Sequence, residues 1–388
     1  MIKNKLIVVV LICSICIVAI VGTLFLCLTS NSEQKKQEAI ENTVADFEIY
    51  KKSRDINMHR VWIIENGPSR IKYWRIAAKE GSSEGILFLG RSYRHGITEY
   101  QSFSKATKLY KQSAEMGNSV AMCNMGMACQ YGFAGKYDMK EALRWYRKAA
   151  ELGDPAAMVD IGYLYKSSFR DFKMAIKWYT RAADLGSALA MNNLGLMYYY
   201  GQGTKKDYKK ANELFLKSAE LGYPDAMENI GESYLRGKGI DKNYDLAYEW
   251  FIKAAEFDDE EAMLYLGYMS NRGLGTEKDS KEAFDWYSCS AKLGYDEAMW
   301  RLGLLYQNGV GCETNKSSAF FWHEKAAKLG DDDGMWRLGY CYENGIGCET
   351  NMSHALLWYG RSADKGYKSA KADLKRLKNK IKDTTNPN

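Results

Sequence analysis

The sequence predicts an all-α protein, an α-solenoid of helix-turn-helix repeats with about eight units of 36 residues, preceded by an N-terminal transmembrane helix. Three observations lead there. Glycines recur at Gly90, Gly126, Gly162, Gly195, Gly231, Gly267, Gly303 and Gly339, always 36 residues apart except for one interval of 33. Small pairs keep step with them, at Ala77-Ala78, Ser113-Ala114, Ala149-Ala150, Ala182-Ala183, Ser218-Ala219, Ala254-Ala255, Ser290-Ala291, Ala326-Ala327 and Ser362-Ala363. Only 4 prolines occur in 388 residues, and abundant Ala, Leu, Tyr, Lys, Glu and Met favour helix over sheet. Self-similarity at such a period marks stacked units, none of which can bury its apolar face alone.

At the N-terminus, Leu6 to Leu28 runs for 23 residues without a charge, enough to cross a hydrocarbon core of about 30 Å. A cleaved signal has an apolar stretch of about 7 to 15 residues and small residues at the cut; neither is evident, so the segment reads as an uncleaved anchor. Lys3 and Lys5 precede it, whereas Lys35 and Lys36 beyond it are diluted by Glu33 and Glu38. That bias places the N-terminus in the cytoplasm and the rest outside it. The expected divisions are a tail at 1–5, the anchor at 6–28, a juxtamembrane linker and N-terminal cap at 29–69, the repeats at 70–368, and a capping helix and tail at 369–388. Val61-Trp62-Ile63-Ile64 is expected to seal the first unit, and Ala370, Leu374 and Leu377 carry the apolar stripe of the closing helix.

Within a unit, the first helix carries an Ala-Met start and a Leu/Ile-Gly step, as in Ala298, Met299, Leu302 and Gly303. Spacings of three and four put these side chains on one face. The second helix carries an aromatic pair ahead of its small pair, as in Trp145-Tyr146, Trp178-Tyr179, Trp250-Phe251, Trp286-Tyr287 and Trp358-Tyr359. Large residues then fill the space that glycine and alanine leave at close helix contacts. His323 takes the second aromatic place in its unit and reads as core or core edge.

The pattern AxMxxLGxxYxxGxG, then Asp or Asn, then WYxxAAxxG resembles the Sel-one-like repeat, a relative of the tetratricopeptide repeat, over about residues 70 to 368. The resemblance implies a scaffold or adaptor rather than an enzyme, and a bacterial envelope setting suits an anchor that precedes the repeats. It also implies that the first helices line a binding groove.

The motif GVGCETN at 309–315 and its echo GIGCETN at 345–351 look like phosphate or metal chemistry. A dinucleotide fingerprint needs a preceding strand and a third glycine, and both are missing. The loop glycines instead end the first helix, where a left-handed residue is needed. Ser102, Asp138, Asp171, Asp207, Asn243, Asp279, Asn315 and Asn351 stand ready as N-caps of the second. Asn315 and Asn351 also fall in glycosylation-type triplets, but capping already accounts for them. Cys312 and Cys348 share a slot held elsewhere by Thr204, Ile240 and Thr276, so packing explains them. Stacked repeats lie about 8 to 10 Å apart, too far for a disulfide between these two, and no CxxC or HxxxH spacing supports a metal.

A formal charge of +6 gives no reason to expect nucleic acid. His59, His95, His323 and His354 are scattered, no nucleophile motif is present, and no catalytic residue, metal or cofactor is expected. The positions two before, two after and five after each reference glycine vary between units and define a candidate stripe for a protein or peptide partner. Its members are Asn193, Met197 and Tyr200; Asn229, Ser233 and Arg236; Tyr265, Met269 and Arg272; Arg301, Leu305 and Asn308; Arg337, Cys341 and Asn344. Trp300 and Trp336 adjoin it. Arginine with tryptophan suits a carboxylate-bearing peptide, unless acidic residues of neighbouring units pair with the arginines. The leading reading is therefore a membrane-anchored adaptor. The alternatives are an envelope protein that binds or acts on cell-wall carbohydrate, and an immunity-type inhibitor of a toxin.

Overall fold

Nineteen helices and no strand make up the regular structure of the residues that the computed structural model describes, 33–49, 56–97, 100–133 and 135–385, with backbone alone for 56–62 and 383–385. Residues 6–28, the expected anchor, lie outside them. Among the described residues no helix is long and apolar enough to cross a membrane. The chain divides after Leu185 into two compact units.

The first unit contains α1 (33–49), α2 (Ile56–Lys79), α3 (Ser83–His95), α4 (Phe103–Glu115), α5 (Ser119–Gln130), α6 (Met139–Glu151), α7 (Pro155–Ser167) and α8 (Phe172–Asp184). The second contains α9 (Ala188–Tyr200), α10 (Tyr208–Glu220), α11 (Pro224–Arg236), α12 (Tyr244–Ala255), α13 (Glu260–Arg272), α14 (Ser280–Leu293), α15 (Asp296–Asn308), α16 (Lys316–Leu329), α17 (Asp332–Asn344), α18 (Met352–Asp364) and α19 (Lys368–Thr385). Odd-numbered helices from α3 to α17 are the first helices of their repeats. Each packs on its own second helix, and within each unit every second helix packs on the next first one. This is the α-solenoid arrangement.

The aromatic pairs divide their labour. Tyr146, Tyr179, Phe251, Tyr287 and Tyr359 are buried and lie against the reference glycines: a Cβ on Gly126 would come within 2.6 Å of Tyr146. The tryptophans before four of them lie under a cation, with Lys148 at 4.4 Å from Trp145, Arg181 at 4.5 Å from Trp178, Lys253 at 4.0 Å from Trp250 and Arg361 at 4.7 Å from Trp358. His323 fills the inner slot of its repeat and is wholly buried, so it is core.

Each predicted N-cap accepts a backbone N–H: Asn315 from Ser318 at 2.9 Å and Asn351 from His354 at 3.0 Å are typical. Gly309 and Gly311 have φ of 65° and 71°, the left-handed region that glycine enters without strain. Gly311 has a second reason to be glycine, because any Cβ there would collide with the carbonyl of Ser280 in the preceding repeat. Cys312 and Cys348 are half-buried thiols turned onto the carbonyls of Leu305 and Cys341, at 3.8 and 3.6 Å.

The serines of the small pairs also have a polar task. Ser113, Ser218, Ser290 and Ser362 donate to the carbonyls of Ser83, Ala188, Glu260 and Asp332 at 2.6–2.7 Å, satisfying both groups inside the core.

Helices that pack on their neighbours stand at both ends of the described residues. Ala39, Thr43 and Asp46 of α1 are buried, and Asp46 accepts from Trp74 Nε1 of α2 at 2.9 Å. α2 runs through the expected boundary at residue 70, because Ile63 and Trp74 are both buried with Phe88 in one cluster. Ile64 is exposed, while the side chains of Val61 and Trp62 lie outside those described. At the other end, Leu377 of α19 is buried with Tyr359, and Arg376 grips Glu343 through two hydrogen bonds of 2.7 and 2.8 Å. Those bonds hold the Glu343 carboxyl below the usual range.

Candidate partner-binding face of the first helices

The position two after the reference glycine belongs to the core. Met197, Ser233, Met269, Leu305 and Cys341 are all buried, which corrects the stripe expected from sequence. The reason is packing and not the helical period: −2, +2 and +5 lie within about 60° of one another round the helix, and +2 is the one that meets the core, as Met269 does in the cluster with Ala262 and Leu266. Variation at +2 is variation in packing.

The remaining positions divide into separate groups. Asn193 is half-buried and Tyr200 is exposed beside Tyr199. Asn229 bridges Asn192 Oδ1 at 3.1 Å and the Asp225 carbonyl at 2.7 Å, so its amide is committed to the scaffold. Arg236 pairs with Glu232 at 2.7 Å and reaches Tyr265 Oη at 3.4 Å, and Tyr265 is stacked on Phe251 at 4.7 Å. Arg272 is exposed and lies over Tyr268 at 4.9 Å.

Trp300, Arg301, Trp336 and Arg337, on α15 and α17, come together as one cluster. Both guanidinium groups lie on Trp300, Arg301 at 4.5 Å and Arg337 at 4.6 Å from the ring centroid. Arg337 also lies 5.3 Å from Trp336. Trp336 is fixed by a hydrogen bond from Nε1 to Asp373 Oδ2 of α19 at 2.8 Å and by Tyr367, whose ring is 5.7 Å away. Trp300 is 9% exposed, so it is an inner wall and presents little contact surface of its own.

The two arginines differ in charge balance. Arg301 donates from Nε and Nη2 to Glu297 at 3.2 and 2.5 Å. The acid is one turn earlier on the same helix, the ordinary i,i+4 pairing, and belongs to no neighbouring unit; Glu232 and Arg236 repeat this arrangement. Arg337 forms no ion pair with a described residue, and its buried Nε has no hydrogen-bond partner. Asp333, one turn before it, instead accepts from Tyr367 Oη at 2.5 Å. Burial pushes the Arg337 pKa down, Arg301 adds to this, and Asp333 opposes it. Beneath the cluster His323 is pushed down to about 3 by burial and by Arg337, and neither of its ring nitrogens has a partner.

The same face carries acids that sequence reading passed over. In the second unit, burial together with Glu261, Asp259, Glu232 and Asp225 pushes Glu228 up to about 9. In the first unit, Arg91 donates to Asn124 Oδ1 at 3.3 Å, while burial and then Asp154 push Asp160 up to about 7. Tyr131 and Tyr163 beside it are about half exposed. Asp160 occupies the −2 position that Asn193 and Arg301 occupy in later repeats, a register that the sequence displays.

The fold and this face define a helix-turn-helix repeat protein of the solenoid class, with an invariant frame and a variable first-helix face. More narrowly, the Sel1 repeat matches eight times, at residues 83–118, 119–154, 155–187, 188–223, 224–256, 260–295, 296–331 and 332–367, and the chain belongs to that family. Among solved structures it is similar to c5321, a protective antigen of uropathogenic Escherichia coli strains with an SLR fold, at 29% identity and a TM-score of 0.63. That match covers 78% of this chain and 66% of the Escherichia coli chain, just under two thirds of its length. It is also similar to a Sel1 repeat protein from Oxalobacter formigenes, at 33% identity and a TM-score of 0.52, over 56% of this chain and 86% of the other. No curated protein matches the chain.

Proposed function

We propose that the protein is a membrane-anchored adaptor, held by residues 6–28 with its repeats outside the cytoplasm, that captures a protein partner on the first-helix face of its second unit. The Sel1 repeat is a protein-interaction fold, which supports the coarse reading. The observation that carries the finer one is the Trp300, Arg301, Trp336 and Arg337 cluster, where two guanidinium groups lie against a buried Trp300 and Trp336 stands half-buried beside them in an otherwise repetitive frame. Rigid aromatic and arginine anchors are the residue types that dominate binding energy at interfaces. The 23 uncharged residues from Leu6 to Leu28 support the anchor, and the lysines before them support the topology.

Affinity capture from native membranes tests this. The wild-type chain retains a stoichiometric partner, and charge reversal at Arg301 and Arg337 releases it without loss of helicity. Undiminished capture by the reversed chain removes this face from the account. Protease digestion of intact cells from outside, cutting within the repeats, tests the topology; protection of the repeats contradicts it.

A further inference from the structure

Four arginines lie on the proposed face, and the structure separates one from the rest. Arg236 and Arg301 are neutralised by Glu232 and Glu297, and Arg272 is exposed. Arg337 alone among them combines substantial burial, a buried Nε without a hydrogen-bond partner, and no ion pair to a described residue. A guanidinium brings five donors in a planar fork, and leaving a buried donor unsatisfied costs its desolvation without return. Its two tryptophan walls stabilise the cation through their faces without offering an acceptor oxygen. The remaining need is a planar anion approaching from the open edge.

We propose that Arg337, held between Trp300 and Trp336, is the receptor for a single carboxylate of the partner, a deepening that rests on the adaptor reading above. The surroundings select the class of anion. Asp331, Asp332 and Asp333 open α17, and Asp296 and Glu297 open α15. Their crowding is already felt at Asp331, which is pushed up to about 6 by burial and by Asp296, Asp333 and Asp332. A dianion such as phosphate, or a run of acidic residues, would meet that field. One carboxylate balances one guanidinium and presents the planar pair of oxygens that the fork fits, while apolar neighbours in the partner segment cover the tryptophans. The partner segment is therefore apolar or basic apart from one acid, supplied by an Asp or Glu side chain or by a C-terminus.

The test is retention of a random peptide library by the full chain, with every peptide present in free and amidated C-terminal forms. Wild-type protein should enrich peptides with one carboxylate, and Arg337→Gln should retain them at least tenfold less. Arg337→Lys keeps the charge but loses the planar stack and fork, and should fall several-fold; Arg361→Gln, a tryptophan-stacked arginine on a second helix, should match wild type. Circular dichroism checks that each variant is folded. Enrichment confined to the free form assigns a C-terminal carboxylate; enrichment in both forms assigns a side chain. Acetate should displace the peptides at lower concentration than inorganic phosphate. Equal retention by wild type and both Arg337 variants, enrichment of amidated peptides without Asp or Glu or of polyacidic peptides, or tighter competition by phosphate overturns the carboxylate assignment and leaves the adaptor reading standing. Retention of no peptide by any chain removes both.

Discussion

The first and second units share one frame and differ in the charge they leave unbalanced on the first-helix face. In the first unit it is an acid, Asp160, beside half-exposed Tyr131 and Tyr163. The second also carries such an acid, Glu228, but adds a cation with no counterpart in the first, Arg337, between tryptophans. The loops differ as well. Those of the second unit follow a Gly-x-Gly turn whose second glycine touches the preceding repeat, as at Gly275 and Gly347. In the first unit the equivalent connections vary, and Arg170 adopts a φ of 53° without being glycine. The frame is thus set by slots that touch across one repeat, whereas the face is free to take either sign.

The largest expected effect separates the two kinds of loop. Gly311→Ala forces a Cβ into the Ser280 carbonyl at a positive φ; left-handed strain of about 1–2 kcal/mol adds to overpacking of about 1–3 kcal/mol. Gly132→Ala in the first unit has a φ of 74° but meets only the Tyr137 ring edge, at 3.2 Å. Chemical denaturation should show a loss about twice as large for the former; equal losses would mean that the inter-repeat contact is unimportant.

Next comes the acid of the first unit. The folded carboxyl of Asp160 titrates near 7, above its ordinary value of 3.8, so the folded state keeps a proton that the unfolded state gives up between those values. Stability is lost as pH rises through that window. Asp160→Asn should stabilise the protein by about 1–3 kcal/mol above pH 7, from removal of a poorly compensated buried charge, and leave it unchanged near pH 4. A gain that is equal at both pH values contradicts the titration.

His323 of the second unit works in the opposite sense. Its folded pKa of about 3 lies below the ordinary 6.5, so stability is lost as pH falls from 6.5 towards 3. His323→Phe, a residue that Phe215 and Phe251 already show fits this slot, should raise stability by about 1–2 kcal/mol at neutral pH through loss of an unsatisfied donor. Its advantage should widen on acidification. Because Glu228 in the same unit titrates the other way, the difference between variant and wild-type melting curves is the quantity to follow, and a constant difference from pH 7 to 4 would refute the assignment.

The smallest effect is at the balanced arginine. Glu297→Gln removes an i,i+4 ion pair worth about 0.5 kcal/mol or less, so thermal melting should shift by about a degree while Arg301 becomes available to anions. A large destabilisation would show that this pair holds the α15 surface together.

Much of the fold was legible because its slots recur in register. Gly303, the small pair Ala326-Ala327 and the cap Asn315 are found in the places their spacing predicts, and GVGCETN is a turn. The face was less legible because its properties depend on contacts between repeats. Nothing in the order of residues shows that Tyr367 draws Asp333 away from Arg337, or that Asp373 of α19 orients Trp336. Burial of Met269 and Cys341 was not legible in the helical period, which puts them on the same side as the stripe, whereas the Glu297–Arg301 and Glu232–Arg236 pairs could have been read from their spacing of four. The packing of 33–49 onto α2 is a different case: Ala39, Thr43 and Asp46 make a stripe too short and too polar to stand out before Trp74 is seen to cover it.

The central claim is that the first-helix face of the second unit meets the partner, and photocrosslinking in living cells tests it most directly. A photoreactive residue replaces Asn308, exposed at the end of α15, or Asp285, exposed on α14. The account predicts a discrete crosslinked product from position 308 that disappears with Arg337→Gln, and none from position 285. Crosslinking from 285 alone, or from 308 undiminished by loss of Arg337 and of the reversed Arg301, would place the partner elsewhere.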